Sequence, residues 1–166
     1  MKKLTRMITI SLVLAALCLS AIGCGNSGGI TPKPSITYTE YTTAGVTYEL
    51  PSSWDITQDE EGAIDGDSFS AIVAELPTSL FADFCERHII ETLEGLNTTN
   101  ITYEKKTCGG YQAYDYEGTA TITGESTPIK VLCIHTGDTV VCFMYICNDT
   151  SEDYNAIYNH LINSIN

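Results

Sequence analysis

Cysteine and histidine are the side chains of this 166-residue chain best suited to redox or metal chemistry, and their spacing limits what they can do. Beyond residue 24 the cysteines are Cys85, Cys108, Cys133, Cys142 and Cys147. Five is odd, so at least one thiol stays free or pairs with another molecule. No CxxC or zinc-finger spacing occurs. The segment Thr136-Gly137-Asp138-Thr139 has the composition of a hairpin turn. An even-numbered loop there sets Cys133 opposite Cys142, and opposed antiparallel residues lie ~4.5–5.5 Å apart at Cα, within disulfide range. His135 shares a strand face with Cys133. Cys133, His135 and Cys142 are therefore a candidate disulfide beside a histidine, or a candidate metal site whose soft ligands suit zinc or copper. The plainer reading is that the cysteines are small core residues, which Cys85, in a helical stretch, fits best. His88 lies on the inner stripe of that helix as a core or boundary residue. His160 lies beside an apolar stripe and is expected to be solvated.

A second candidate is made of carboxylates. Asp59, Glu60, Glu61, Asp65 and Asp67 crowd one Gly-broken segment and could offer hard oxygens to a cation such as calcium. The segment lacks the ligand spacing and the terminal Glu of a 12-residue calcium loop, so the competing reading is a solvated charge run. Hydrolase patterns are missing: there is no Gly-x-Ser-x-Gly, and no histidine sits in a diagnostic nucleophile pattern. The motifs thus point away from an enzyme. Tyr111, Tyr114 and Tyr116 are clustered, and Tyr114 and Tyr116 share a strand face that is either a binding surface or simply strand-forming.

The most specific chemistry lies at the N-terminus. Lys2, Lys3 and Arg6 precede an apolar run from Met7 to Leu19, and small residues Ser20, Ala21 and Gly23 follow. That order is the mark of an export signal, and the run is shorter than the ~20 residues of a spanning helix. Ala21-Ile22-Gly23-Cys24 resembles the lipobox of bacterial lipoproteins. The resemblance implies cleavage before Cys24, a diacylglyceryl lipid on its sulfur as the only covalent cofactor, and an extracytoplasmic domain held to the cell membrane by that lipid. Two acyl chains anchor lastingly where one does not. Residues 1–23 are then the signal, residues 24–36 a Gly/Ser/Pro tether, and residues 37–166 a single domain.

Charge narrows the partners. Taking Lys2, Lys3 and Arg6 from the eight basic residues leaves five against 21 acidic ones, a net charge near −16 beyond Cys24. Phosphate backbones are repelled by such a surface, so nucleic acid is not an expected partner. Metal ions, basic peptides and basic proteins remain compatible with it.

The elements that position these residues read as α+β. Strands are expected at Thr37–Thr42, Val46–Leu50, Trp54–Thr57, Phe69–Glu75, Ile101–Thr107, Tyr111–Tyr116, Ala120–Thr123, Ile129–His135 and Thr139–Cys147, with Asp59–Asp67 a loop. One helix runs from Thr78 to about Gly95, with Phe81, Phe84, Cys85, Ile89 and Leu93 at helical spacing. Another starts at Ser151, an N-cap followed by Glu152 and Asp153, and carries Tyr154, Ile157, Tyr158, Leu161, Ile162 and Ile165 on one stripe. An antiparallel sheet of about six strands packed between helices gives both stripes a surface to cover.

Gly45-Val46-Thr47-Tyr48-Glu49-Leu50-Pro51-Ser52-Ser53-Trp54 is similar to the opening strand and Pro-x-x-Trp turn of PsbP-like domains. The middle helix, the later strands and the closing Leu161-Ile162-Asn163-Ser164-Ile165 extend the likeness over nearly the whole of residues 37–166. It implies a sheet sandwiched between helices, in a family of photosynthetic extrinsic subunits and bacterial lipoproteins without assigned activity. Together these features suggest a non-enzymatic envelope domain that binds a partner protein. The alternative is a module for a metal ion or small cationic ligand.

Overall fold

A computed structural model describes residues 35–59, 63–66, 68–147 and 153–166. The signal, Cys24, the tether up to residue 34, Glu60, Glu61, Asp67, Ser151 and Glu152 lie outside the described residues.

Short turns dictate much of the topology. Ala44-Gly45, Gly109-Gly110 and Thr123-Gly124 all have positive φ at both positions and each joins two antiparallel strands directly. These are mirror-image turns whose twist matches that of the strands. They close the hairpins β1 (Tyr38–Thr43) with β2 (Val46–Pro51), β6 (Thr98–Cys108) with β7 (Tyr111–Ile122), and β7 with β8 (Glu125–His135). The strands β3 (Ile56–Gln58), β4 (Ile64–Gly66), β5 (Phe69–Glu75) and β9 (Thr139–Ile146) complete the set. β1 and β2 form a separate two-stranded sheet. The others form one antiparallel sheet of seven strands in the order β3-β4-β5-β9-β8-β7-β6.

The seven-stranded sheet departs from the expected strand pattern in two places. Ile64–Gly66 is a strand where the acidic segment reads as loop, because its backbone pairs with both β3 and β5. Tyr111–Ile122 is one strand of 12 residues, not two, and Gly118 lies within it. A Cβ on Gly118 would fall 2.7 Å from Thr98 Cγ2, where the β6–β7 register shifts between Thr99 and Thr102. That glycine admits a bulged neighbour instead of ending the strand.

A helix covers each face. Helix α1 runs through Thr78–Asp83, a wider-wound π segment Phe84–Ile89, and Ile90–Gly95. It buries Phe81, Phe84, Cys85, Ile89 and Leu93 against Tyr116, Val131, Cys133, Cys142 and Met144. Helix α2 (Asp153–Ser164) and the β1–β2 hairpin share the opposite face, where Tyr48, Leu50, Tyr158 and Leu161 pack on Phe69, Leu132, Val141 and Phe143. The chain end seals this layer: Asn166 and Thr47 exchange both backbone hydrogen bonds, at 2.9 and 3.0 Å. The Pro51–Trp54 turn closes with a 3.1 Å bond from Trp54 N–H to the Pro51 carbonyl, and the half-buried indole packs on Phe69 and Tyr145.

Candidate functional site

Cys133 and Cys142 are opposed, as an even-numbered turn at Thr136–Thr139 requires. Four residues, Thr136 to Thr139, separate the paired His135 and Val140, and Cys133 therefore stands opposite Cys142. Their Sγ atoms are 3.0 Å apart in the buried apolar layer under α1. Burial first, then the Cys142 and Cys85 thiols that hydrogen-bond to it, push the Cys133 thiol well above its ordinary range. His135 does not turn toward these sulfurs. Its Nε2 is 3.1 Å from the Leu76 carbonyl, its ring packs on Phe81, and it is buried rather than at an edge. Leu76 N–H also donates to the Asp138 carbonyl at 2.8 Å, and Thr78 Oγ1 to the Gly137 carbonyl at 3.0 Å. His135 thus helps tie the start of α1 to the β8–β9 turn. Among the described residues no group of three or more His, Cys, Asp or Glu side chains is arranged to hold a metal ion.

Of the acidic segment, Asp59 and Asp65 are described, and both are exposed. Asp59 Oδ1 accepts the Ala63 N–H at 2.9 Å, and its own N–H donates to the Ala63 carbonyl at 3.0 Å. That carboxylate closes the β3–β4 turn. Asp65 lies on β4 opposite Thr57.

A polar cluster with no local sequence signature occupies the α2 face beside its apolar layer. Asp115 on β7 accepts from Lys106 on β6 and from the Tyr158 hydroxyl on α2. The Lys106 and Asp115 side chains are 24% and 15% exposed. Burial pulls the Lys106 ammonium down, but hydrogen bonding to Asp115 and that carboxylate's charge outweigh it, so its pKa ends above the ordinary lysine value. The Tyr158 hydroxyl is held well above its usual range, chiefly by burial and then by the Asp115 charge. Lys130 pairs with Glu117 at 3.1 Å and lies 4.9 Å above the Tyr158 ring. The alternation Ala113, Asp115, Glu117 along β7, facing Lys106 and Lys130 on its neighbours, is the trace this cluster leaves in the sequence.

Several other polar side chains are similarly engaged. Tyr114 donates to Glu86 Oε1 at 2.8 Å, and Tyr116 to the Cys85 carbonyl at 2.8 Å. Lys105 meets Glu86 at 2.6 Å, and Arg87 meets Asp83 at 2.7 Å. His160 is not simply solvated: its Nε2 is 2.6 Å from Glu49 Oε2 and its ring stacks on Tyr38. All four cations of the described residues therefore meet carboxylates of the same chain. The conspicuous unfilled feature is an edge. Among the described residues β6 pairs only with β7, its residues Thr102–Lys105 are exposed, and Tyr103 among them is 41% exposed. Among the described residues no helix is long and apolar enough to cross a membrane.

No protein-family model and no curated protein matches the sequence. Solved structures do match the fold. Cyanobacterial PsbP (CyanoP) from Synechocystis sp. PCC 6803 aligns with a TM-score of 0.55 at 14% identity, covering 86% of this chain and 97% of that one. LpqN of Mycobacterium tuberculosis, described as involved in cell envelope biogenesis, aligns at 0.51 with 16% identity, covering 80% and 91%. The fold is therefore α+β and PsbP-like, and identities this low speak to the fold alone.

Proposed function

We propose that the chain is a lipoprotein anchored through Cys24 outside the cytoplasm, and that its PsbP-like domain is a non-enzymatic accessory unit that docks a protein partner. The β6 edge carries this reading. A strand of 11 residues at the rim of a seven-stranded sheet presents a row of backbone donors and acceptors, which a partner strand can pair. Tyr103 supplies an exposed aromatic anchor of the kind enriched at protein interfaces. Acidic groups outnumber basic ones beyond Cys24, and the described cations are already paired within the chain. The partner surface is accordingly basic, which also absorbs the cationic-ligand alternative. CyanoP and LpqN lend the fold a precedent in proteins of this architecture.

The test is a crosslinked pull-down of the full chain from native membranes, beside Cys24→Ser and Tyr103→Ala controls. A stoichiometric partner that is depleted in both controls supports the proposal. A partner captured equally by all three, or none by the unaltered chain, overturns it.

A further inference from the structure

Three thiols meet under α1, and two of them are closer than unbonded atoms ordinarily come. Cys133 and Cys142 are direct cross-strand partners with Sγ atoms 3.0 Å apart, inside the ~3.5–4.0 Å of ordinary non-bonded contact. Their register cannot slip, because β8 is also paired with β7 and β9 with β5. Opposed antiparallel Cα atoms lie ~4.5–5.5 Å apart, the span a disulfide bridges without moving the backbone. Cys85 descends from the π segment of α1 and its thiol hydrogen-bonds to Cys133. Cys133 and Cys85 are fully buried and Cys142 is 2% exposed.

We infer that Cys133 and Cys142 are joined by a disulfide in the folded protein, and that Cys85 remains a buried thiol against it. The inference is independent of the partner-docking reading above. The oxidant is a disulfide, either a protein dithiol oxidant or glutathione disulfide. The Cys133 thiol loses its proton, and the thiolate attacks one oxidant sulfur, breaking that S–S bond and releasing one thiol. The Cys142 thiolate then attacks the mixed disulfide at Cys133 and releases the second. Two protons and two electrons leave the pair, and the oxidant takes up both as two thiols.

Sequence distance sets the order of events. Cys133 and Cys142 are nine residues apart in one hairpin, whereas Cys85 reaches them only when α1 docks. Once α1 is in place the thiols are shut off from oxidant, and burial holds Cys133 protonated. Exchange therefore precedes docking, and the local pair joins before the distant thiol arrives.

Trypsin makes the test direct. No Lys or Arg follows Lys130, so Cys133, Cys142 and Cys147 share one peptide, 131–166. The full chain is reduced, unfolded and refolded in glutathione redox buffer, with recovery followed by Trp54 fluorescence. It is then acid-quenched, alkylated under denaturing conditions and digested. The expected peptide carries one alkyl group, on Cys147, and three after reduction. Three before reduction, or a link to the peptide that ends at Arg87 and carries Cys85, overturns the inference. Closing a loop of this length should make the oxidised chain on the order of 10²-fold more stable to urea than the reduced chain. Equal stability would leave the bond without its expected constraint and count against it.

Discussion

Replacing Asp115 by Ala removes the one acceptor on which Lys106 and Tyr158 converge. The Tyr158 side chain is 2% exposed, so its hydroxyl loses its partner away from bulk water, a loss of ~1–3 kcal/mol. Lys106 fares better, because it is a quarter exposed and Glu104 lies within 3.4 Å, which keeps its share to about 1 kcal/mol. The sum, ~2–4 kcal/mol, falls at or below the range for orphaning a fully buried charge. Urea unfolding followed by Trp54 fluorescence and circular dichroism measures it. The same experiment on Tyr158→Phe should show a smaller loss, about 1 kcal/mol, since Lys106 and Asp115 still satisfy one another. In the double variant the losses should fall short of additivity by ~1 kcal/mol, because either change alone already breaks the Tyr158–Asp115 bond. An Asp115→Ala loss below ~0.5 kcal/mol, or strict additivity with Tyr158→Phe, would refute the view that this cluster pins α2 to the sheet.

Thr123 opens the β7–β8 turn with φ +51°, a region that a β-branched residue pays to occupy, and Gly124 follows it. Thr123→Asn creates the favoured Asn-Gly pair and should raise stability by about 1 kcal/mol in the same urea assay; a loss would mean the turn relaxes otherwise. Gly109 has φ +55°, and a Cβ there would stand 2.5 Å from the Ile165 carbonyl oxygen. Gly109→Ala should cost at least ~2 kcal/mol and detach the chain end, whereas Gly110→Ala, with open space at its Cβ, should cost ~1 kcal/mol from backbone strain alone. Burial holds the phenols of Tyr48, Tyr116, Tyr154 and Tyr158 above their ordinary pKa. Their folded values exceed the unfolded ~10, so their contribution is complete below pH ~10 and is lost as pH rises beyond it. Phenolate absorbance from these four should appear together with unfolding; smooth ionisation of all ten tyrosines near pH 10 in a folded chain would contradict their burial.

Local rules made the hairpins legible, whereas the Cys133–Cys142 register hung on loop parity, which turn composition leaves open and the strand pairing decides. Phe69–Glu75 and the stretch from Thr78 to Gly95 are found where periodicity puts them. The departures come from contacts that periodicity does not encode. β4 forms from Ile64-Asp65-Gly66 because flanking strands supply backbone partners, whatever its side chains prefer. Gly118 reads as punctuation, yet its missing Cβ makes room for the bulge in β6. His160 lies 111 residues from Glu49, and Tyr158 lies 43 from Asp115, so neither pairing leaves a motif. The cluster on Asp115 was marked only by charged residues at inward positions of β7, a signal visible once the strand's faces are assigned.

That distribution of polar groups bears on the docking proposal. Carboxylates here meet cations at several places where a strand carries charge toward a helix: Asp115 with Lys106, Glu86 with Lys105, Glu117 with Lys130. Such pairs stabilise little at the surface, but they leave few cations to attract a second copy of so acidic a chain. Glu104, Lys105 and Lys106 also put charge along β6, and its bulge breaks the flat template that like strands need to stack. Self-pairing through this edge is thereby opposed by charge and shape together. A basic partner meets the opposite situation: attraction from the acidic surface, a strand edge unpaired among the described residues, and Tyr103 to bury. On the proposed reading, raising ionic strength should therefore slow partner capture through the screened approach, while Tyr103→Ala should shorten the lifetime of the complex once formed. Surface-immobilised chain with the captured partner in solution separates the two rates, and a Tyr103→Ala effect confined to association would place the contact away from β6.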